Sequence, residues 1–338
     1  MKRASAHLMA DGDLACAALA KRFETRSSID RSPQSAVAST QNGVKPIGGE
    51  AMEVLLAEEY GFCFGVERAV EMVEAALRDG DGKVRTLGPL IHNKQEMERL
   101  EGEGVSTMQA PEEADAETVA VIRAHGVAPQ VKRELEARAA KVIDATCPFV
   151  TRVQRLTERA ARQGRDVVVV GNPDHPEMIG VRGHAPERTY IVRDASEVEK
   201  LPPLHAPIVL SQTTLKLKTF LEAAEAVRAK ADAEPEVVNT ICSATRDRQD
   251  AARALASQVD AFYVIGSAHS SNSVKLLSVC REQCERSFLI ETADDINPND
   301  LKGVRRVGVT AGASTPNWLI EQVVARLHEI GRKQGTSK

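Results

Sequence analysis

The chain has 338 residues, enough for two or three compact domains, and its 42% apolar and 27% charged composition is ordinary for a globular protein. Its 44 basic and 48 acidic side chains give a net charge of −4, no long run of one sign occurs, and only 3% of residues are aromatic. This composition argues against nucleic acid and anionic membranes as partners and favours a small molecule. No apolar stretch approaches the roughly 20 residues that span a bilayer. The low density of cysteines, six in all, indicates a reducing, cytoplasmic setting rather than a disulfide framework.

Residues 1–52 differ in composition from the rest of the chain. Small and polar residues dominate this segment, and no apolar periodicity persists in it. The segment is therefore predicted to be a disordered extension, and Cys16 within it carries no functional signal.

From Val54 onward, short apolar runs alternate with stretches of helical period, which is typical of α/β units around mostly parallel sheets. The first helix is predicted from an apolar stripe after Cys63, in which apolar residues recur every three or four positions from Val66 to Leu77. Further helices are predicted at 151–162 and 244–256. We expect three similar αβ domains at 53–147, 148–241 and 242–330, followed by a tail at 331–338.

Three cysteines each stand where a strand-like run gives way to a helix, and each is followed by polar residues at two later junctions of the same kind. The first polar residue comes 28 or 29 positions after its cysteine. Such junctions gather at the carboxyl ends of parallel strands, so one αβ unit repeated around a common axis would bring all of them to one cavity. The three sets are Cys63 with His92 and His125, Cys147 with His175 and Thr213, and Cys242 with Ser270 and Ser314.

A thiol at a helix N-terminus has a lowered pKa and is more readily the metal-binding thiolate. Spacing alone leaves three interpretations of the trio open: buried apolar thiols, zinc, or an iron–sulfur cluster. Structural zinc normally takes four protein ligands, often with a short C-x₂₋₄-C pair that the trio lacks, whereas a cluster accepts scattered cysteines. Cys280 and Cys284 would share one helical face, and packing is the favoured explanation for them.

The polar residues at the other junctions suit a compact anionic ligand. Glu177 would be a general acid if buried and a solvated loop residue if not. The runs 270–273 and 310–314 offer hydroxyls and backbone N–H groups, which can cap a helix and bind phosphate alike. Neither a Walker lysine loop nor a Rossmann glycine fingerprint is found, so ATP and NAD are not indicated.

Together these motifs resemble the 4-hydroxy-3-methylbut-2-enyl diphosphate reductase family. The resemblance covers residues 53–330 and rests on nine short motifs in matching order and spacing. They are Gly61-Phe62-Cys63-Phe64-Gly65-Val66, His92-Asn93, Ala124-His125-Gly126-Val127, Asp144-Ala145-Thr146-Cys147-Pro148, His175-Pro176-Glu177, Gln212-Thr213-Thr214, Ile241-Cys242, Ser270-Ser271-Asn272-Ser273 and Thr310-Ala311-Gly312-Ala313-Ser314.

The resemblance implies a pseudo-threefold trefoil of αβ domains around a [4Fe-4S] cluster with three cysteine ligands and one open iron. It implies reductive dehydroxylation of an allylic diphosphate to isopentenyl and dimethylallyl diphosphates, with a ferredoxin or flavodoxin as electron donor. Glu177, oriented by Thr214, would deliver the proton. The implied cluster ligands are Cys63, Cys147 and Cys242, and the implied substrate-binding residues are His92, His125, His175, Thr213, Thr214, Ser270, Ser271, Asn272 and Ser314. A non-catalytic iron–sulfur sensor and a zinc hydrolase of a phosphorylated substrate are the alternatives.

Overall fold

The computed structural model describes residues 52–80 and 82–335, so Cys16 and nearly all of the predicted extension lie outside the described residues. The described residues from 52 onward belong to one compact unit. They form three four-stranded sheets in which every strand pair is parallel. The predicted α/β class with three similar units is confirmed.

The three sheets have equivalent strand orders. The first sheet contains β2 (Lys83–Leu87), β3 (Ser106–Met108), β4 (Thr118–Ile122) and β5 (Lys141–Asp144), in the order β3-β2-β4-β5. The second contains β6 (Val167–Val170), β7 (Thr189–Val192), β8 (Ile208–Ser211) and β9 (Glu236–Val237), in the order β7-β6-β8-β9. The third contains β1 (Glu53–Leu56), β10 (Ala261–Ile265), β11 (Ser287–Ile290) and β12 (Arg306–Ala311), in the order β1-β12-β10-β11.

Helices connect and cover these strands. The α-helices are α1 (Phe64–Asp79), α2 (Lys94–Gly102), α3 (Pro129–Arg138), α4 (Pro148–Arg162), α5 (Pro176–Arg182), α6 (Ala195–Val198), α7 (Leu217–Lys230), α8 (Ser243–Ala256), α9 (Ser271–Arg281) and α10 (Asn317–Gly335). Short 3₁₀ turns lie at Pro111–Glu113, Ala293–Asp295 and Pro298–Leu301. Helix α10 continues to Gly335, so the predicted tail from 331 is helical along most of its length. Among the residues that the structure describes, no helix is both long and apolar enough to cross a bilayer.

The predicted bounds 53–147 place the first strand in the first domain. In the structure this strand, β1, pairs with β12 and so belongs to the third sheet. Its residue Val54 lies opposite Val307 of β12, in a parallel ladder that runs from Glu53 to Leu56. In each sheet, the strand that precedes a cysteine in the sequence is therefore an edge strand. These edge strands are β5, β9 and β1. The other predicted domain bounds, after 147 and after 241, stay a prediction.

Burial of apolar faces holds each sheet to its helices. The stripe of α1 that includes Ala69, Val70 and Val73 packs on Val84 and Val119 of the first sheet. Each of the buried valine side chains contributes on the order of 1.5–3 kcal/mol through removal of apolar surface from water. Cys280 and Cys284 lie in another apolar cluster, with Phe262 and Leu276. The core elements thus leave the carboxyl ends of the strands free to carry polar residues.

Candidate functional site

The three predicted cysteines occupy equivalent positions in the three units. Cys63, Cys147 and Cys242 are the N-cap residues of α1, α4 and α8, and none of their side chains caps its helix. Each cysteine N–H donates to a carbonyl just beyond the neighbouring central strand. The acceptors are the oxygens of Ala313, Ala124 and Thr213, at 3.2, 2.9 and 3.0 Å respectively.

All predicted site residues line one cavity, whose empty volume is about 740 Å³ including its open mouth. The cavity is bordered by Cys63, Cys147, Cys242, His92, His125, His175, Glu177, Thr213, Thr214, Ser270, Ser271, Asn272 and Ser314. The structure therefore brings together every candidate cluster ligand and substrate-binding residue named from the sequence.

Gly65 lets the cysteine-bearing segments approach one another. A Cβ atom on this glycine would lie 2.5 Å from the Cys147 sulfur, closer than real contacts allow. Any side chain at position 65 would push α1 away from Cys147. The close approach of the two segments therefore requires glycine here, whereas the backbone conformation does not.

Among the described residues, the three thiols are not grouped as closely as the ligands of one metal ion would be. Three thiolates on one zinc ion, each about 2.3 Å from the metal, would bring their sulfurs to within about 4 Å of one another. Among the described residues, His92, His125 and His175 form a group of potential ligands whose atoms all lie within 4.8 Å, and the three thiols form no such group. Sulfurs farther apart can each bind a different iron of one cluster.

Burial disfavours the thiolate form in the free protein. It raises the pKa of Cys147 to about 11, with a further contribution from the neighbouring Cys63 and Cys242. The pKa of Cys242 is also raised by burial. Helix N-termini therefore do not suffice to ionise these thiols, and a bound cation would have to supply the stabilisation.

Three imidazoles from two units meet in the cavity beside the thiols. The ring centroids of His92 and His125 are 4.6 Å apart, and that of His175 lies 5.8 and 5.2 Å from them. Burial lowers the pKa of His92 to about 4 and that of His175 to about 3, and it holds the pKa of His125 well below its usual range. The trio is therefore neutral near pH 7 when no anion is bound.

Hydrogen bonding assigns His175 a donor role. Its Nδ1 accepts the Glu177 N–H at 3.1 Å, so the neutral ring carries its proton on Nε2. A protonated Nε2 can donate to an oxyanion but cannot ligate a metal. This geometry favours anion binding over a zinc ion at the histidines.

Several buried polar atoms at the cavity have no protein partner. They are Nε2 of His92, Nδ1 of His125 and both side-chain amide atoms of Asn272. Leaving such groups unpaired costs on the order of 1–3 kcal/mol each. A ligand rich in hydrogen-bond acceptors would satisfy the donors among them, whereas an apolar ligand would not.

Glu177 is buried, with 2% of its surface exposed. Its carboxylate oxygens accept hydrogen bonds from the Thr213 N–H and the Thr213 Oγ1–H, both at 2.8 Å. The expectation that Thr214 orients this carboxyl is wrong, because the Thr214 hydroxyl lies 3.0 Å from Ser271 Oγ instead. Burial raises the Glu177 pKa, although the Thr213 hydrogen bonds and the charge of Lys275 oppose the rise.

Sequence reasoning missed two cations near the histidines. Lys275 donates to Ser271 Oγ at 3.0 Å, and burial lowers its pKa to about 8. Burial also lowers the pKa of Arg123, whose charge acts on all three histidines. Lys275 follows Ser271 by four residues, so helical spacing on α9 was the signal available for it. Arg123 offered no comparable pattern.

Three parallel sheets around one thiol-lined cavity characterise this α/β protein, and solved structures resemble it in fold. One, from Plasmodium falciparum, is an E-1-hydroxy-2-methyl-but-2-enyl-4-diphosphate reductase; its TM-score is 0.77 at 29% identity, covering 81% of this chain and 87% of that one. Another, an (E)-4-hydroxy-3-methyl-but-2-enyl diphosphate reductase, has a TM-score of 0.63 at 38% identity, covering 82% of this chain and 99% of that one.

Sequence comparison identifies the family. The model of the LytB protein family matches residues 54–328. The 4-hydroxy-3-methylbut-2-enyl diphosphate reductase of Caldanaerobacter subterraneus subsp. tengcongensis is 42% identical over 285 residues, covering 82% of this chain and 98% of that relative. The enzyme of the same name from Geotalea uraniireducens is 43% identical over 282 residues, covering 83% and 99%. The chain belongs to the LytB family.

Proposed function

We propose that the chain reduces 4-hydroxy-3-methylbut-2-enyl diphosphate to isopentenyl and dimethylallyl diphosphates, the last step of the methylerythritol phosphate route to isoprenoids. Two electrons and two protons enter, the C–O bond of the allylic alcohol breaks, and water leaves. The observation that carries the proposal is the convergence, in one cavity, of three thiols, a buried carboxyl and a set of unpaired polar groups. The names of close relatives agree with it.

The cofactor we propose is a [4Fe-4S] cluster held by Cys63, Cys147 and Cys242, with one iron free of protein ligands. The resemblance of the sequence motifs to this family implies an iron–sulfur cofactor, and the family match covers residues 54–328. When bound, the cluster supplies electrons and a Lewis acid for the leaving oxygen. The position of the three thiols around one cavity and the close approach at Gly65 support this ligand set.

The diphosphate would bind at the polar end of the cavity. Neutral imidazoles offer ring N–H donors, and the N-terminus of α9, capped by the Ser270 side chain, offers backbone N–H groups. Lys275 adds the positive charge that neutral donors lack. The residues that would hold the diphosphate are His92, His125, Ser270, Ser271, Asn272 and Ser314, with His175 and Thr214 beside them.

Glu177 would hold the proton that departs with the hydroxyl. Hydroxide is a poor leaving group, and a neutral carboxyl beside it lowers the barrier by general acid catalysis. Burial raises the pKa of Glu177, which keeps the acid form present at higher pH than in solvent. Thr213 fixes the carboxyl through both of its hydrogen bonds and so aims it.

Electrons would come singly from a ferredoxin or flavodoxin in the cytoplasm. Cys63 is followed directly by Phe64, whose surface is 59% exposed. A small redox protein that contacts this residue would approach close to a cluster ligand. No bound organic redox cofactor is needed under this proposal.

Anaerobic purification followed by iron, sulfide and zinc analysis tests the cofactor, and a reductase assay with the hydroxylated diphosphate tests the activity. We expect iron and sulfide in near-equal amounts and both products in the assay. Zinc without sulfide would point to the hydrolase alternative. A cluster without turnover, under a reductant that reduces it, would point to the sensor.

A further inference from the structure

Arg248 on α8 is a buried cation that the catalytic proposal leaves unused. Only 4% of its surface is exposed. Its guanidinium donates to three backbone carbonyls: Nη1 to Ala244 at 3.0 Å, and Nη2 to Gly61 at 2.9 Å and Phe62 at 3.1 Å. Its Nε is buried without a partner.

No carboxylate pairs with Arg248 among the residues in the described ranges, where the buried guanidinium has carbonyl acceptors only. An arginine side chain carries a positive charge in proteins. A buried charge without a counter-charge is strongly destabilising, even when carbonyl dipoles surround it. A bound anion near Arg248 would therefore stabilise its charge, which carbonyl groups alone surround in the described residues.

The guanidinium joins two of the three cysteine-bearing segments. Gly61 and Phe62 directly precede Cys63, and Ala244 lies two residues after Cys242 and itself lines the cavity. Arg248 thus lies beside the polypeptide that carries two of the proposed cluster ligands. Three thiolates and a cluster carry net negative charge, and reduction by one electron increases it.

We propose that Arg248 is the buried counter-charge of the iron–sulfur cluster, and that it positions the Cys63 and Cys242 segments while raising the cluster's reduction potential. The inference rests on the cofactor proposed above. A nearby cation stabilises the more negative, reduced state, and its effect is large where water does not screen it. Arg248 is a positioning residue, since it contacts neither substrate nor reacting atoms.

Redox titration of the anaerobically purified holoenzyme, followed by absorbance and electron paramagnetic resonance, tests the proposal. The variants are Arg248→Gln, which removes the charge, and Arg248→Lys, which keeps it. The matched control is Arg246→Gln on the same helix, where the side chain is 64% exposed and pairs with Asp247. An exposed charge is screened by water and salt, so its removal has little effect.

We expect Arg248→Gln to lower the potential, so that the ratio of reduced to oxidised cluster at a fixed potential falls about tenfold, equivalent to about 59 mV for one electron. The reduction potential of the Arg248→Lys variant should stay near that of the unmodified protein. If Arg248→Gln shifts no further than Arg246→Gln, or if Arg248→Lys shifts as far as Arg248→Gln, the counter-charge role is overturned.

Iron content separates the remaining outcomes. Should Arg248→Gln lose its cluster, Arg248→Lys decides: a retained cluster with an unchanged potential supports the role of the charge, and an equal loss of iron overturns it. Unmodified protein without iron and sulfide would overturn both this inference and the proposed cofactor. A normal cluster with unresponsive Arg248 variants would overturn this inference alone.

Discussion

Replacing Glu177 by glutamine removes its acidic proton and keeps its shape. The backbone N–H of Thr213 is a fixed donor, whereas the Thr213 hydroxyl can rotate and accept instead. The glutamine oxygen can therefore accept from the N–H while its NH₂ group donates to Oγ1. Because both hydrogen bonds persist, we expect the free energy of unfolding to change by less than about 1 kcal/mol.

The catalytic effect of the same change should be much larger. Loss of a general acid typically lowers the rate by about 10²–10⁴, which corresponds to roughly 3–5 kcal/mol of transition-state stabilisation. We expect kcat to fall by this factor while cluster content, melting temperature and diphosphate affinity stay near normal. Anaerobic steady-state kinetics with a chemical reductant measure kcat and KM separately.

The pH profile identifies the role of the carboxyl. A general acid with a raised pKa loses its proton as pH rises through that pKa, so kcat should decline on the alkaline side. This decline should disappear in Glu177→Gln. A variant that keeps more than a tenth of the original kcat, together with the alkaline decline, would refute the assignment of the proton to Glu177.

Three further changes follow from individual contacts. Gly65→Ala places a Cβ 2.5 Å from the Cys147 sulfur and should reduce iron per chain, whereas Gly102→Ala, with no atom within 4 Å of its added Cβ, should not. Lys275→Met removes a charge that lowers the pKa of Glu177, so the alkaline decline in kcat should move to higher pH, and binding of inorganic diphosphate in calorimetry should weaken. The lowered pKa of His92, about 4, means that the unfolded chain binds more protons between about pH 6.5 and 4, so stability is lost as pH falls through this window. Urea unfolding of metal-free protein should show a shallower acid loss in His92→Asn, and an equal loss would contradict the assignment.

Local pattern was enough to locate most of the candidate site. The cysteines could be placed at helix starts because each precedes a stretch of helical period. In parallel α/β sheets, the helix N-termini lie at the carboxyl ends of the strands. Repetition of that arrangement three times predicted the common cavity. These inferences depend on neighbours in sequence, which periodicity reports directly.

The remaining features of the fold and the site depend on contacts between residues far apart in the sequence. The sequence Glu53–Leu56 reads as a strand, yet periodicity cannot name its partner, and the ladder to β12 joins residues about 250 positions apart along the chain. The choice of Thr213 over Thr214 as the partner of Glu177 depends on the direction of adjacent side chains at the end of β8. Alternation along the chain predicts that two such neighbours diverge, but not which of them faces a distant carboxyl.

The sequence by itself determined the α/β class, the threefold repetition and the residue types that could bind a metal and an anion, because these depend on local period and side-chain chemistry. Only the tertiary structure decided that β1 completes the third sheet, that Gly65 makes room for the Cys147 sulfur, and that Lys275 contacts Ser271 while Arg248 contacts the backbone before Cys63. Electrostatic interactions and packing contacts act through space. They can be identified only once the structure shows which segments, far apart in the chain, lie side by side.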